Sequence, residues 1–385
     1  MNFDRLTAFL DSRYTERNVP HAGCVVYYRH QPVYSHYMGL ADVDKGEPFT
    51  DKHIVTLYSA TKISLATAAM QLLETGAFGL DEPIARYLPE FAAMVVRETD
   101  ADGKEHLRPA ASPILIRHLL SMSAGLDYDR SPELDAARQA ADGRPTTAEV
   151  VRAIAKKPLC FDPGTHFRYS YCLDVIGRLI EVVSGESLGD YFQKHLFDPI
   201  GMTDTTFHPS EAQRARMAYQ YFDFDHTTRT YRDAHKHLVD MGMGDRFESG
   251  GGGLVSTVPD YALLAETLCN FGLAPSGARI LRPESINLMR QNQLCPAAQR
   301  DFAAFGGPSK AGYSYGLGVR TMCDRDFAKA ACQNGEFGWD GALGCYMVVD
   351  PDAEMALFYA QQAGGEAWWE WHPVMRDLVY ACLAE

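Results

Sequence analysis

Phe3, Leu6, Phe9 and Leu10 recur at the three- and four-residue spacing of one helical face, which predicts an amphipathic opening helix. The period then changes. Residues 23–28 and 32–39 are rich in Val and Tyr and read as the two strands of a hairpin. Residues 63–73 are apolar, free of Gly and Pro, and followed by Gly76; they predict a long buried helix with a stop signal. Helical spacing returns at residues 114–120, 148–155, 173–183 and 188–196, with Gly185 and Pro199 as stops. Thr257, with Asp260 three positions on, predicts an N-cap for a helix over about 259–268. Beyond Tyr313 the strand character comes back. Residues 315–321, 344–350 and 355–361 read as strands, and residues 368–383 as a closing helix.

Strand-type sequence therefore sits at both ends, with helical sequence between. The economical architecture is one sheet assembled from both termini. The expected fold class is α/β (α+β): a mainly antiparallel sheet flanked by helices, formed by residues 1–79 and 306–385, with an inserted, all-helical region over 80–305.

Composition narrows the possibilities. The 385 residues are 46% hydrophobic and 22% charged, enough for a large core. A net charge of −14 repels phosphate backbones and argues against a nucleic-acid partner. No apolar run reaches the length of a membrane span. The N-terminus lacks a basic start followed by an apolar stretch, and the nine cysteines form no Cys-x-x-Cys pair. Both features predict a cytoplasmic protein with free thiols.

Three segments carry candidate chemistry. The first is Ser59-Ala60-Thr61-Lys62. Residues three apart at a helix start share a face, and a buried lysine with a lowered pKa can take the proton of a serine nucleophile. The pattern is short, and a capping serine with a snorkelling lysine would produce it equally well. The second is Phe167-Arg168-Tyr169-Ser170-Tyr171, after the Pro163-Gly164 turn and before a helix. A tyrosine there can project its hydroxyl into a cleft, and a nearby ammonium would lower its pKa; a simple partly buried tyrosine fits as well. The third is Gly338-Trp339-Asp340-Gly341-Ala342, leading into an apolar strand. Its glycines mark a close approach of another backbone or a ligand, and its edge can offer an N–H to an oxyanion; a turn with Trp339 packing is the alternative.

In this order the three segments resemble the class C β-lactamase-like, penicillin-recognising serine hydrolases, whose pattern is Ser-x-x-Lys, Tyr-x-Asn and Lys/His-Thr-Gly. The residues 57–74, 116–121, 163–185, 199–202 and 251–261 are similar to that family as well, so the resemblance runs over about 20–365. It implies that Ser59 forms an acyl-enzyme and that Lys62 and Tyr169 share proton transfer. It also implies an oxyanion hole built from the Ser59 and Ala342 N–H groups. The pattern departs at two positions. Tyr171 stands in place of Asn and cannot reproduce that amide's donor and acceptor together. Trp339 stands in place of the Lys or His that holds a substrate carboxylate, and Asp340 would repel one unless it points away. Tyr171, Trp339, Asp340 and Gly341 are therefore the expected substrate-binding residues. The substrate is expected to be a small ester-type acyl compound, with a β-lactamase or DD-peptidase, or a catalytically silent binding protein, as the rival readings.

Trp368, Trp369, Trp371 and His372 could line an acyl pocket or pack between the last helix and the sheet. His235-Lys236-His237 has no partner at ligand spacing, so no metal is expected, and no cofactor motif occurs. The run Gly250 to Gly253 reads as a backbone crossing, with Glu248 and Ser249 near enough in sequence to reach the cleft.

Overall fold

A computed structural model describes residues 1–16, 19–100, 102–225, 230–238, 242–364 and 368–385. Both chain ends enter one eight-stranded antiparallel sheet. Across the sheet the strands run Tyr313–Tyr315, Arg320–Met322, Phe337–Gly338, Tyr346–Asp350, Met355–Gln361, His21–Tyr28, Gln31–Asp42 and Glu47–Pro48. The seam between the termini pairs Val25 with Phe358 and Val26 with Leu357. Period-two alternation gives each face its own core. Val25, Phe358 and Ala360 face the interior of the molecule, against Val258 and Tyr261 of the helix Val258–Cys269. Cys24, Val26, Leu357 and Tyr359 face the opposite way, covered by Leu6 and Leu10 of helix Asp4–Glu16 and by Met375 and Val379 of helix Trp368–Ala384. The first hairpin turns at Arg29 and His30, both with positive φ (50° and 62°), the geometry that matches strand twist in a tight hairpin.

Two expectations need correction. The strand expected over 315–321 is two antiparallel strands, with Tyr313 opposite Met322 and Tyr315 opposite Arg320. Gly316 and Gly318 make the reversal between them, and a Cβ on Gly318 would lie 2.6 Å from that of Ala66. The inserted region is not all helix. It holds the hairpins Val95–Thr99/Glu105–Pro109 and Gln220–Asp225/Thr230–His235, and Val255–Thr257 pairs with Ile54–Thr56. The first hairpin closes over an Asp-Gly turn, where Gly103 N–H donates to the Asp100 carbonyl.

The long apolar helix extends over Thr61–Glu74 and is buried almost throughout. It contains no Gly or Pro and ends at Gly76, with φ of 73°. Its neighbours include the amphipathic helix Cys172–Ser184, which is stopped by left-handed Gly185. The pair brings the segment before each helix, at Ser59 and at Tyr169, to the same region. Among the described residues, no helix is long and apolar enough to cross a membrane.

Candidate active site

Ser59 sits in the short turn Tyr58–Ala60 that leads into the buried helix. The turn is fixed from several sides. Leu57 N–H donates to the Leu254 carbonyl, and the Tyr261 hydroxyl donates to the Ala60 carbonyl at 2.7 Å. Tyr58 has a φ of 47°, a conformation unfavourable for a bulky residue, so the turn beside Ser59 carries strain that its surroundings must hold.

One helical turn on, Lys62 is fully buried. Its Nζ donates to Ser59 Oγ at 3.3 Å, to the Tyr128 hydroxyl at 3.2 Å and to the Gly251 carbonyl at 2.5 Å. It also lies over the Tyr169 ring, 4.6 Å from the centroid. The Tyr169 hydroxyl accepts the Trp339 indole N–H at 3.0 Å, and the two rings stack at 5.5 Å. The serine, the amine and the phenol ring thus stand together, with the phenol hydroxyl turned to Trp339.

Ser59 and Tyr169 open into a cavity of about 520 Å³. Trp339, Gly341 and Ala342 form one wall; Phe305, Pro308, Trp368 and Trp369 form the mouth. The size suits a small organic ligand. The tryptophan-rich segment divides. Trp368 and Trp369 line the cavity, whereas Trp371 and His372 are buried, with His372 stacked on Tyr346.

The wall closes tightly on the serine turn. A Cβ on Gly341 would sit 2.3 Å from the Leu57 carbonyl oxygen, so only glycine lets the two backbones approach there. Among the described residues, no turn or loop hydrogen bond uses the N–H of Ser59 or of Ala342, which leaves both as possible donors. Gly341→Ala must push this segment away from the Leu57 carbonyl and so from the serine turn. It is expected to lower ester turnover by about 10²-fold while the protein stays folded; kcat together with a thermal melt would check this.

Asp340 borders the cavity, but its carboxylate is held elsewhere. It accepts from Lys310 and, at 3.3 Å, from Arg320. Burial pushes its pKa up, yet the two cations outweigh burial and hold it below the usual carboxylate range. Lys310 lines the same cavity with its Nζ 5.5 Å from the Trp339 ring centroid. Burial outweighs Asp340 there and lowers the ammonium below its ordinary pKa. Position 339 thus carries an indole rather than a cation, and the ammonium beside it, Lys310, is already paired with Asp340.

Tyr171 lies apart from the Ser59 cavity. It is buried, edge-on to Tyr128 at 4.6 Å, and lines a second cavity of about 360 Å³ with Tyr128, Arg130 and Arg138. Glu248 and Ser249 also turn elsewhere, Glu248 to Gly189 N–H and His208, Ser249 to Asp174. Sequence reasoning missed Tyr128, Gly251 and Lys310. The glycine run offered a signal, since a carbonyl facing a ligand or side chain at close range needs a bare backbone. Tyr128 and Lys310 offered none, because each meets the site only through long-range packing.

A family model described as Beta-lactamase matches residues 6–368. The esterase EstB of Burkholderia gladioli is 28% identical over 374 residues, covering 90% of this chain and 86% of that protein. The monacolin J acid methylbutanoyltransferase of Aspergillus terreus is 30% identical over 340 residues, covering 84% and 79% respectively. Among solved structures, EstCE1, a hydrolase with promiscuous acyltransferase activity, aligns with a TM-score of 0.78 at 26% identity, covering 98% of this chain and 97% of that one. With the family match running through nearly the whole length, and through the Ser59, Tyr169 and Trp339 segments together, the chain belongs to the beta-lactamase family.

Proposed function

We propose that this protein is a serine esterase or acyltransferase that works through an acyl-enzyme on Ser59. The observation that carries the reading is the Lys62 Nζ, buried and 3.3 Å from Ser59 Oγ, beside a cavity walled by Trp339. Lys62 accepts the Ser59 proton as Oγ attacks the acyl carbonyl. The charge that develops on the carbonyl oxygen is met by the N–H groups of Ser59 and Ala342. Tyr169, whose oxygen accepts from Trp339 beside the same cavity, passes a proton to the departing alkoxide. Water or an alcohol then takes the acyl group by the reverse sequence. The relatives named esterase and acyltransferase support the same chemistry.

The substrate class follows from the walls. Aromatic rings dominate the mouth, and the ammonium among the described lining residues, Lys310, is already paired with Asp340. A neutral, apolar ester fits this lining better than a β-lactam carboxylate, which needs an unpaired cation. A fluorophosphonate probe followed by peptide mapping tests the nucleophile, with labelling expected at Ser59. Turnover of nitrophenyl esters is expected to exceed that of nitrocefin. Fast nitrocefin turnover with weak ester turnover would favour a β-lactamase, and absence of labelling in folded protein would favour a silent binding protein.

A further inference from the structure

Near Lys62, and not among the residues lining the cavity, lies a carboxyl group that the proposed chemistry does not use. Asp174, in the first turn of helix Cys172–Ser184, is completely buried. Its Oδ1 accepts from Ser249 Oγ at 2.6 Å and from the Gly251 N–H at 3.1 Å. Its Oδ2 is buried and, among the described residues, has no hydrogen-bond partner. A buried acid oxygen left unsatisfied is costly, so its retention calls for an explanation.

The surroundings supply one. The Gly251 peptide that Asp174 holds by its N–H is the residue whose carbonyl takes the Lys62 ammonium at 2.5 Å. A Cβ on Gly251 would lie 2.7 Å from Asp174 Oδ2 and 3.0 Å from the Tyr128 hydroxyl, so both oxygens face one point beside the glycine. Tyr128 in turn accepts from Lys62. Asp174 is thus linked to the lysine through Gly251 and lies beside its second partner, Tyr128.

We propose that Asp174 is the positioning residue of Lys62: it anchors the Gly251 carbonyl against the amine and supplies the negative charge that balances the buried ammonium. The inference rests on Lys62 being the base that activates Ser59. The titratable groups around the pair are Tyr169, whose ring lies under Lys62, and Tyr128, Tyr171 and Cys172, each of which burial pushes up and so holds neutral at neutral pH. Asp174 is therefore the acidic group in this shell. Burial raises its own pKa, and the charge of Lys62 works in the opposite direction, as expected for two groups that share one charge balance.

The experiment is the pH dependence of Ser59 phosphonylation by a fluorophosphonate, in the full chain, for the wild type, Asp174→Asn and Ser249→Ala. Asn keeps an acceptor for Gly251 and Ser249 but removes the charge. The acid limb of the rate profile is expected to move down by about one pH unit in Asp174→Asn. Ser249→Ala keeps the charge, and its limb is expected to stay where it is. An unmoved limb in a folded, labelled Asp174→Asn variant overturns the proposal, as does an equal shift in both variants. Failure of the wild type to label at all would instead count against Ser59 as the nucleophile.

Discussion

Ser59→Ala and Lys62→Ala are each expected to lower ester turnover by at least ~10³-fold, and the double variant to be no slower than the worse single. The geometry gives the reason. Lys62 has one route to the chemistry, the 3.3 Å bond to Ser59 Oγ. Without the hydroxyl the amine has no proton to accept; without the amine the hydroxyl is not deprotonated. What survives in either variant comes from the cavity and the backbone donors, and both variants keep those. Losses that multiplied in the double variant would mean that the two residues act independently. Lys62→Ala also empties a fully buried site and strands the Gly251 carbonyl, so Lys62→Met is the better-packed companion. Single-turnover kinetics on purified variants, with melts to show that they fold, would decide the matter.

The second large effect is on stability. Asp340→Asn is expected to cost about 3–5 kcal/mol, because it removes the anion facing two buried cations, Lys310 and Arg320. Arg320 retains Glu336 at 3.3 Å, so Lys310 bears most of the loss. Pairing the change with Lys310→Met should recover part of the stability, since it removes the stranded charge along with its partner. A pH dependence follows from the same contact. The pKa of Asp340 is depressed in the folded protein, so its contribution is fully present above the ordinary carboxylate pKa of about 3.9. That contribution is lost as pH falls toward the folded value, and Asp340→Asn should lack this part of the acid sensitivity. Urea unfolding at neutral pH and below about pH 4 measures both effects. A neutral-pH loss under ~1 kcal/mol would mean that Asp340 is not the main counter-charge of Lys310. Trp339 is the adjacent residue, so the variant is also expected to loosen the wall of the Ser59 cavity.

The strand His21–Tyr28 was legible from its Val and Tyr content and the strand Met355–Gln361 from its near-continuous apolar run, because both bury residues on the two faces of the sheet. The buried helix was legible from its uninterrupted apolar run, and Thr257 does accept the Asp260 N–H at 3.3 Å as an N-cap. The hairpins within the inserted region were not legible, since their exposed strands show little apolar periodicity. The site divides in the same way. Ser59 and Lys62 are neighbours through one turn of helix, so spacing alone brings them together. Tyr169 and Trp339 meet beside the serine because the helix Cys172–Ser184 packs on Thr61–Glu74 and the segment at Gly341 closes on Leu57.

Local pattern thus determined the long helices, the strands at both chain ends and the Ser59–Lys62 pair, because helical spacing and backbone sterics act over a few residues. Tertiary structure alone decided that Asp340 turns to Lys310 and Arg320 rather than to a substrate, and that Tyr171 faces a second cavity. It alone decided that Tyr128, Gly251 and Asp174 gather around the lysine. These partners are 66, 189 and 112 positions from Lys62 in the chain. Burial of charge and the demand that buried polar groups be paired select them, and those forces act on a packed interior rather than on neighbouring residues in sequence.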